Sequence, residues 1–326
     1  MRHPHAHLLT RALLLRSLSL SLSRARARVQ PGYNDDDYKR RRMSIAHLAR
    51  DHVPGEALPA VTYRPEEVET WAHALTELEK LFPTHACREF LESYAKLGFR
   101  PDRVPQLQDV HDVLQRETGF AIRPVAGLLH PRDFLNGLAF RTFHSTQVRA
   151  CVRALRERRL ASIPQPSLTL LFVLSLQYMR HFSQPMYTPE PDVIHELIGH
   201  APMLANPHYA DLVQQIGLAS LYATKEEIWH LSKVYWYTVE FGVVMEGDDV
   251  KAFGAGLLSS FGELEHMQSG EPKPALERLD PWAKQPKMSY KDGFQKRYFV
   301  LDSFEEGAEL LRRYAKQFTD READFQ

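Results

Sequence analysis

The sequence predicts a mostly α-helical globular protein with a few short β-strands, on three observations. Apolar residues recur at intervals of three and four over most of the chain, the period of one buried helix face. Extended, β-like runs are few and short. The 326 residues are 44% hydrophobic and 25% charged, an ordinary globular composition that excludes disordered and fibrous classes.

Taken in order, Asn34-Asp35-Asp36-Asp37 supplies an acidic N-cap for a helix running through Ala49. Helical patterns follow at about 65–81, 85–97 and 107–117. An extended stretch from Phe120 to Leu129 leads through Pro131 into a helix beginning near Arg132. Further helices are expected at about 189–203, 208–222, 224–241 and 302–318, with short strands near 243–253 and 297–301. The basic run Lys39-Arg40-Arg41-Arg42 falls inside the first helix and is expected to form a solvated face rather than a nuclear address.

The two cysteines, Cys87 and Cys151, are too few for a disulfide framework and lack zinc-finger spacing, which fits a reducing compartment. The longest apolar run, Leu168 to Leu176, is far short of the roughly 20 residues a membrane helix needs. Net charge is zero but uneven. Residues 1–30 carry six arginines and no acid, and residues 148–177 carry five arginines and one acid. The remainder holds 30 basic and 40 acidic residues, a balance that disfavours nucleic acid and anionic membranes as partners. The arginine- and serine-rich segment 1–30 has the composition of an organelle transit peptide, and equally that of untranslated sequence misread as coding. Neither reading makes it part of the fold. The location is accordingly cytoplasmic, or a plastid or mitochondrion if 1–30 is a genuine transit peptide.

The stretch Asp192-Val-Ile-His195-Glu196-Leu-Ile-Gly199-His200 carries the chemistry. Two neutral imidazoles in neighbouring turns can form half of a metal coordination sphere. Their spacing is five, whereas the zinc protease motif spaces its histidines by four. On an ideal helix a spacing of five sets them about 140° apart, so they converge only if the helix is locally widened or the rings reach across its face, as a π-type bulge allows. A carboxylate lies at the end of the apolar and aromatic face Trp236-Tyr-Thr-Val-Glu240. Burying it there is costly unless it is paired or binds a metal. Two histidines and one carboxylate with open positions form the facial triad of non-haem Fe(II) oxygenases.

With these residues in view the chain resembles the aromatic amino acid hydroxylases, the family of phenylalanine, tyrosine and tryptophan hydroxylases. The matching segments include Pro83-Thr-His-Ala-Cys87, Arg103-Val-Pro-Gln-Leu-Gln-Asp-Val110, Arg123-Pro-Val-Ala-Gly-Leu-Leu129, Gly137-Leu-Ala-Phe-Arg141, Tyr187-Thr-Pro-Glu-Pro-Asp192 and Phe253-Gly-Ala-Gly-Leu-Leu-Ser-Ser260. They run in the family's order over nearly all of 31–320. The resemblance implies the single catalytic domain of that family over residues 31–326, with Fe(II) held by His195, His200 and Glu240. It implies that Arg180, with Thr188 nearby, receives the substrate carboxylate, and that Trp236, Gly256 and Ser259 form the pocket for the aromatic side chain. Gly127, Leu128, Leu129, Phe134 and Tyr235 match the pterin site, and Glu196 matches an acid near pterin and iron. Pro131 departs from the serine common there in animal members, which sets that one pterin contact in question. Read without the resemblance, Leu128, Leu129 and Phe134 are plain core residues.

The implied activity is hydroxylation of the ring of a free aromatic amino acid by O2, with tetrahydrobiopterin or a reduced folate as reductant. Tyr235-Trp236 is closer to phenylalanine and tyrosine hydroxylases than to tryptophan hydroxylases. The segment 290–300 is closer to non-animal members, so phenylalanine is preferred over tyrosine. Compared with the family, the chain is expected to lack the tetramerisation segment, which leaves its oligomeric state open.

The family runs directly from a His-x-Thr-Gln segment into Tyr-x-Arg-His, but here His144-Ser-Thr-Gln147 and Tyr178-Met-Arg180-His181 are separated by 30 residues. The intervening stretch 148–177 begins with Val, whose codons start GT, and ends with Gln, whose CAG codon ends AG. A leucine-rich tail with pyrimidine-rich codons precedes that end. It reads as a translated, unspliced intron of 90 nucleotides, and its apolar residues fit no amphipathic template. The competing reading is a genuine surface insertion. Two other functional readings remain: a binding homologue whose catalysis the insertion has disabled, and a zinc hydrolase, which requires a water-activating base beside a tetrahedral site.

Overall fold

The protein is described from a computed structural model covering residues 31–323, apart from 33, 54, 126–128, 146–176, 187, 189 and 289–292. The predicted sites Gly127 and Leu128, and all but Gln177 of the 148–177 stretch, lie outside the described residues.

The first helix, α1 (Asp36–Asp51), starts where the Asp35 side chain accepts from the Tyr38 N–H at 2.9 Å. It is followed by α2 (Pro65–His85), which has proline at its first position, where the missing N–H costs nothing. Helices α3 (Arg88–Leu97) and α4 (Leu107–Thr118) each end at a glycine in the left-handed region, Gly98 at φ 58° and Gly119 at φ 73°. Trp71, Leu75, Leu78, Phe90, Leu114 and Phe120 fill the space among them. A large apolar side chain buried this fully contributes about 1.5–3 kcal/mol.

Strand β1 (Ala121–Pro124), helix α5 (Pro131–Ala139) and strand β2 (Thr142–Ser145) form a compact unit, with β1 and β2 parallel and Ile122 opposite Phe143. A π-helical turn, π1 (His195–His200), runs into the short α6 (Ala201–Leu204) and then α7 (Pro207–Leu221), whose N-cap Asn206 accepts from two backbone N–H groups. Helix α8 (Lys225–Tyr235) opens with a Thr224/Glu227 capping box and passes without a break into a second π-helical turn, π2 (Trp236–Glu240).

Strands β3 (Gly242–Glu246) and β4 (Asp249–Ala252) make a hairpin, followed by α9 (Ala255–Leu258), α10 (Phe261–Ser269), β5 (Ala275–Arg278), β6 (Arg297–Leu301) and α11 (Phe304–Ala323). The four strands are ordered β4-β3-β6-β5, antiparallel within the hairpin and parallel elsewhere. Helix α11 packs along α7, and α7 packs on α5, while π1 packs against α9 and leads into α6.

The expected helices and the strand at 297–301 are present. The strands β2 and β5 and the short helices α9 and α10 were not foreseen. The basic run on α1 corrects the expectation of a solvated face. Lys39 and Arg40 are exposed, but Arg41 is paired with Glu67 at 2.8 Å, and Arg42 is buried against Glu190 and Tyr178. Two of the four cations therefore hold α1 to the rest of the domain.

Candidate active site

The spacing of five between His195 and His200 is accommodated by π1, in which i→i+5 hydrogen bonding brings residues five apart onto one side of the helix. Glu240 closes π2, where the Phe241 N–H donates to the Trp236 carbonyl at 3.0 Å across the same widened turn. The two turns bring His195 Nε2 and His200 Nε2 to 3.1 Å from each other. Glu240 Oε2 lies 3.5 Å from the first and Oε1 3.6 Å from the second. Metal–donor bonds of about 2.1 Å place neighbouring octahedral ligands about 3.0 Å apart, so the three donors fit one face around a single ion. Both histidines are buried, and the Glu240 side chain is 13% exposed.

The tautomer of His195 follows from its neighbours. Ser259 Oγ donates its one proton to the Ala255 carbonyl at 2.7 Å, and His195 Nδ1 lies 2.8 Å from the same Oγ. Nδ1 must then be the donor, which leaves the Nε2 lone pair facing the centre, as a metal ligand requires. The loop carrying Ser259 approaches closely because it has small residues. A Cβ on Gly256 would sit 2.6 Å from the Phe241 ring, and one on Gly199 would sit 2.7 Å from the Ala255 carbonyl oxygen. Trp236 packs against Phe241 at 4.7 Å, so Trp236, Gly256 and Ser259 gather beside the triad.

Arg180 is buried and locked to Asp192. Its Nε and Nη2 donate to the two carboxylate oxygens at 2.9 and 2.8 Å, and its backbone N–H donates to the same group at 2.9 Å. Asp192 also accepts from the His195 N–H at 3.1 Å, so one carboxylate ties the arginine to the first turn of the ligand helix. Thr188 Oγ1 donates to the Glu190 carbonyl at 2.6 Å and shapes the turn leading to Asp192. On the other side, Phe134 meets Tyr235 edge-on at 5.1 Å, and Phe143 rests on His200 at 4.8 Å. Leu129 packs on the core beside them. Glu196, next to His195 in the sequence, is buried, and burial, reinforced by the charges of Glu240 and Asp192, pushes its carboxyl well above the usual carboxylate range.

The chain that carries this two-histidine, one-carboxylate face matches a known family. The model of the biopterin-dependent aromatic amino acid hydroxylases covers residues 17–155 and 166–325. The chain belongs to that family. The hydroxylase is 54% identical over 286 residues to the chloroplastic phenylalanine 4-monooxygenase of Pinus taeda, spanning 88% of this chain and 72% of the relative. It is 57% identical over 285 residues to the chloroplastic enzyme of the same name from Chlamydomonas reinhardtii, spanning 87% and 70%. Among solved structures, the phenylalanine hydroxylase of Chromobacterium violaceum with bound iron(III) and 7,8-dihydrobiopterin superposes with a TM-score of 0.66 at 30% identity, covering 87% of this chain and 93% of that one. The family match begins at residue 17 and passes over 156–165, a stretch inside 148–177. No described helix of the hydroxylase is long and apolar enough to cross a membrane.

Asp192, Phe143 and Arg42 had no assigned role in the sequence. For Asp192 a signal was present, an acid three residues ahead of the first ligand at the start of its helix. For Phe143 and Arg42 there was none, because their partners lie far away along the chain.

Proposed function

We propose that the chain hydroxylates the ring of free phenylalanine to tyrosine with O2, using Fe(II) held by His195, His200 and Glu240 and a tetrahydropterin as reductant. The reading is carried by the donor triangle of 3.1, 3.5 and 3.6 Å, two of its corners buried histidines. Iron and the reduced pterin, when bound, supply the electrons for O2 chemistry. The protein contributes placement and exclusion of water.

Asp192 engages two of the five Arg180 N–H donors, and Nη1 donates to the Pro185 carbonyl at 3.2 Å. Two donors remain to take a substrate carboxylate in a planar, two-pronged grip. Trp236, Gly256 and Ser259 then direct the ring toward the triad. Phe134, Tyr235 and Leu129 form the wall against which a flat pterin stacks. Glu196 is the acid we assign to a position beside both. Phenylalanine is the substrate class favoured by the high identity to phenylalanine 4-monooxygenases, and their chloroplastic names favour a plastid address carried by residues 1–30.

Residues 148–177 are best read as translated intron. Gln177, next to Tyr178, is buried, its carbonyl accepting from the Tyr63 hydroxyl at 3.0 Å and its amide reaching the Pro59 carbonyl at 3.4 Å. Removing 148–177 sets Gln147, the same residue type, in that place. Sequencing the mature transcripts tests this, and codons 148–177 persisting in most of them would sink it. For activity, protein with and without 148–177 is loaded anaerobically with Fe(II) and given O2, tetrahydropterin and phenylalanine. Tyrosine is the expected product, and none from the shortened protein would refute the assignment.

A further inference from the structure

Glu196 keeps a carboxylate oxygen, Oε2, that makes no hydrogen bond although the side chain is buried. Ser145, at the end of β2, is 2% exposed, and its hydroxyl faces the Glu196 carboxyl without reaching hydrogen-bond geometry. Both side chains line one small cavity of about 10 Å³, whose other walls include Leu107, Leu114, Ile122 and Leu204. A buried polar atom without a partner is costly, and two in one cavity call for a common ligand. The space matches a single water, which needs at least two polar partners and finds two here. A cation would have one carboxylate and one hydroxyl, too few ligands to replace its hydration.

We propose that Ser145 and Glu196 together bind one buried water, and that Ser145 is a positioning residue that fixes the direction of the Glu196 carboxyl through it. A water donates to a carboxylate or accepts from a carboxylic acid, so the site serves Glu196 in either protonation state. Its effect on turnover rests on the reading of Glu196 as the acid beside the pterin. Released from the water, the carboxyl turns away and pterin binding suffers, while the iron ligands keep their places.

The test joins a high-resolution crystal structure of the iron-loaded protein to steady-state kinetics of Ser145→Ala and Glu196→Gln. Expected are water density between Ser145 Oγ and Glu196 Oε2, lost in Ser145→Ala, and a roughly tenfold higher KM for tetrahydropterin in that variant with iron content unchanged. Absence of that density, where other buried waters are visible, overturns the site. An unchanged pterin KM in Ser145→Ala, with a raised one in Glu196→Gln, overturns the positioning role while leaving the reading of Glu196 intact. If neither variant moves the pterin KM, both the role of Glu196 and the positioning through it are refuted, and the density alone decides the water site.

Discussion

The Arg42 guanidinium lies 3.8 Å above the Tyr178 ring and donates to Glu190 Oε2 at 2.6 Å. The Tyr178 hydroxyl bonds the Glu190 carbonyl at 3.4 Å, and the Tyr178 carbonyl accepts from the Val193 N–H at 3.0 Å. One arginine on α1 therefore grips both strands of chain that present Arg180 and Asp192. Arg42→Ala removes a desolvated cation and leaves Glu190 without it. The expected loss is about 3 kcal/mol of unfolding free energy, with a raised KM for phenylalanine. Arg40→Ala, two residues away and exposed, is expected to change stability by no more than about 0.5 kcal/mol. Urea unfolding of the two variants makes the comparison, and equal losses would return Arg42 to the solvent.

Asp192 accepts from Arg180 and from the backbone of His195, and it is fully buried. Asp192→Ala leaves the Arg180 charge buried without its carboxylate, a loss of roughly 3–5 kcal/mol. Arg180→Met keeps Asp192 bonded to two backbone N–H groups and is expected to cost less stability but more substrate affinity. Chemical denaturation and the KM for phenylalanine separate the two variants.

Ser259→Ala removes the group that sets the His195 tautomer. Partners of metal-bound histidines typically account for 10–100-fold in affinity, and Fe(II) binding is expected to weaken by roughly that factor with little change in fold. Anaerobic calorimetric titration with Fe(II) reads this directly.

Burial, and secondarily the nearby Arg123 charge, hold the His144 imidazole below the ordinary histidine value of 6.5. The unfolded chain then takes up this proton first as pH falls, so the contribution is present above pH 6.5 and is lost as pH drops toward the folded value. His144→Gln is expected to show a smaller drop in Tm between pH 7 and about pH 5.5 than the parent protein. An equal drop in both would mean that His144 is solvated.

Much of this arrangement could be read from the residues, and the failures have physical causes. The π1 turn could be anticipated because two ligands of one ion must converge, and a spacing of five does so on a widened helix or with rings reaching across its face. The π2 turn was not visible, since it carries one ligand and nothing fixes its period. Strand β5 (Ala275–Arg278) is short and mostly exposed, so it lacks the alternation that marks a strand. Arg42 was misread because a basic run has the same local pattern whether its charges meet water or a distant carboxylate. The ligand triad needed only one correct spacing and one buried acid. The Arg180–Asp192 pairing, by contrast, is a matter of tertiary geometry.

The contact of Gly199 with Ala255 joins the helix that presents both histidines to the segment ending at Ser259, and the His195–Ser259 bond pins the same two pieces a second time. Two pins make a lever rather than a hinge. On the proposed reading, an amino acid seated against Gly256 and Ser259 would press on the helix that presents both histidines, and its arrival would reach the donor triangle through stiffness alone. Punctuality in such a catalyst is a mechanical property of its walls.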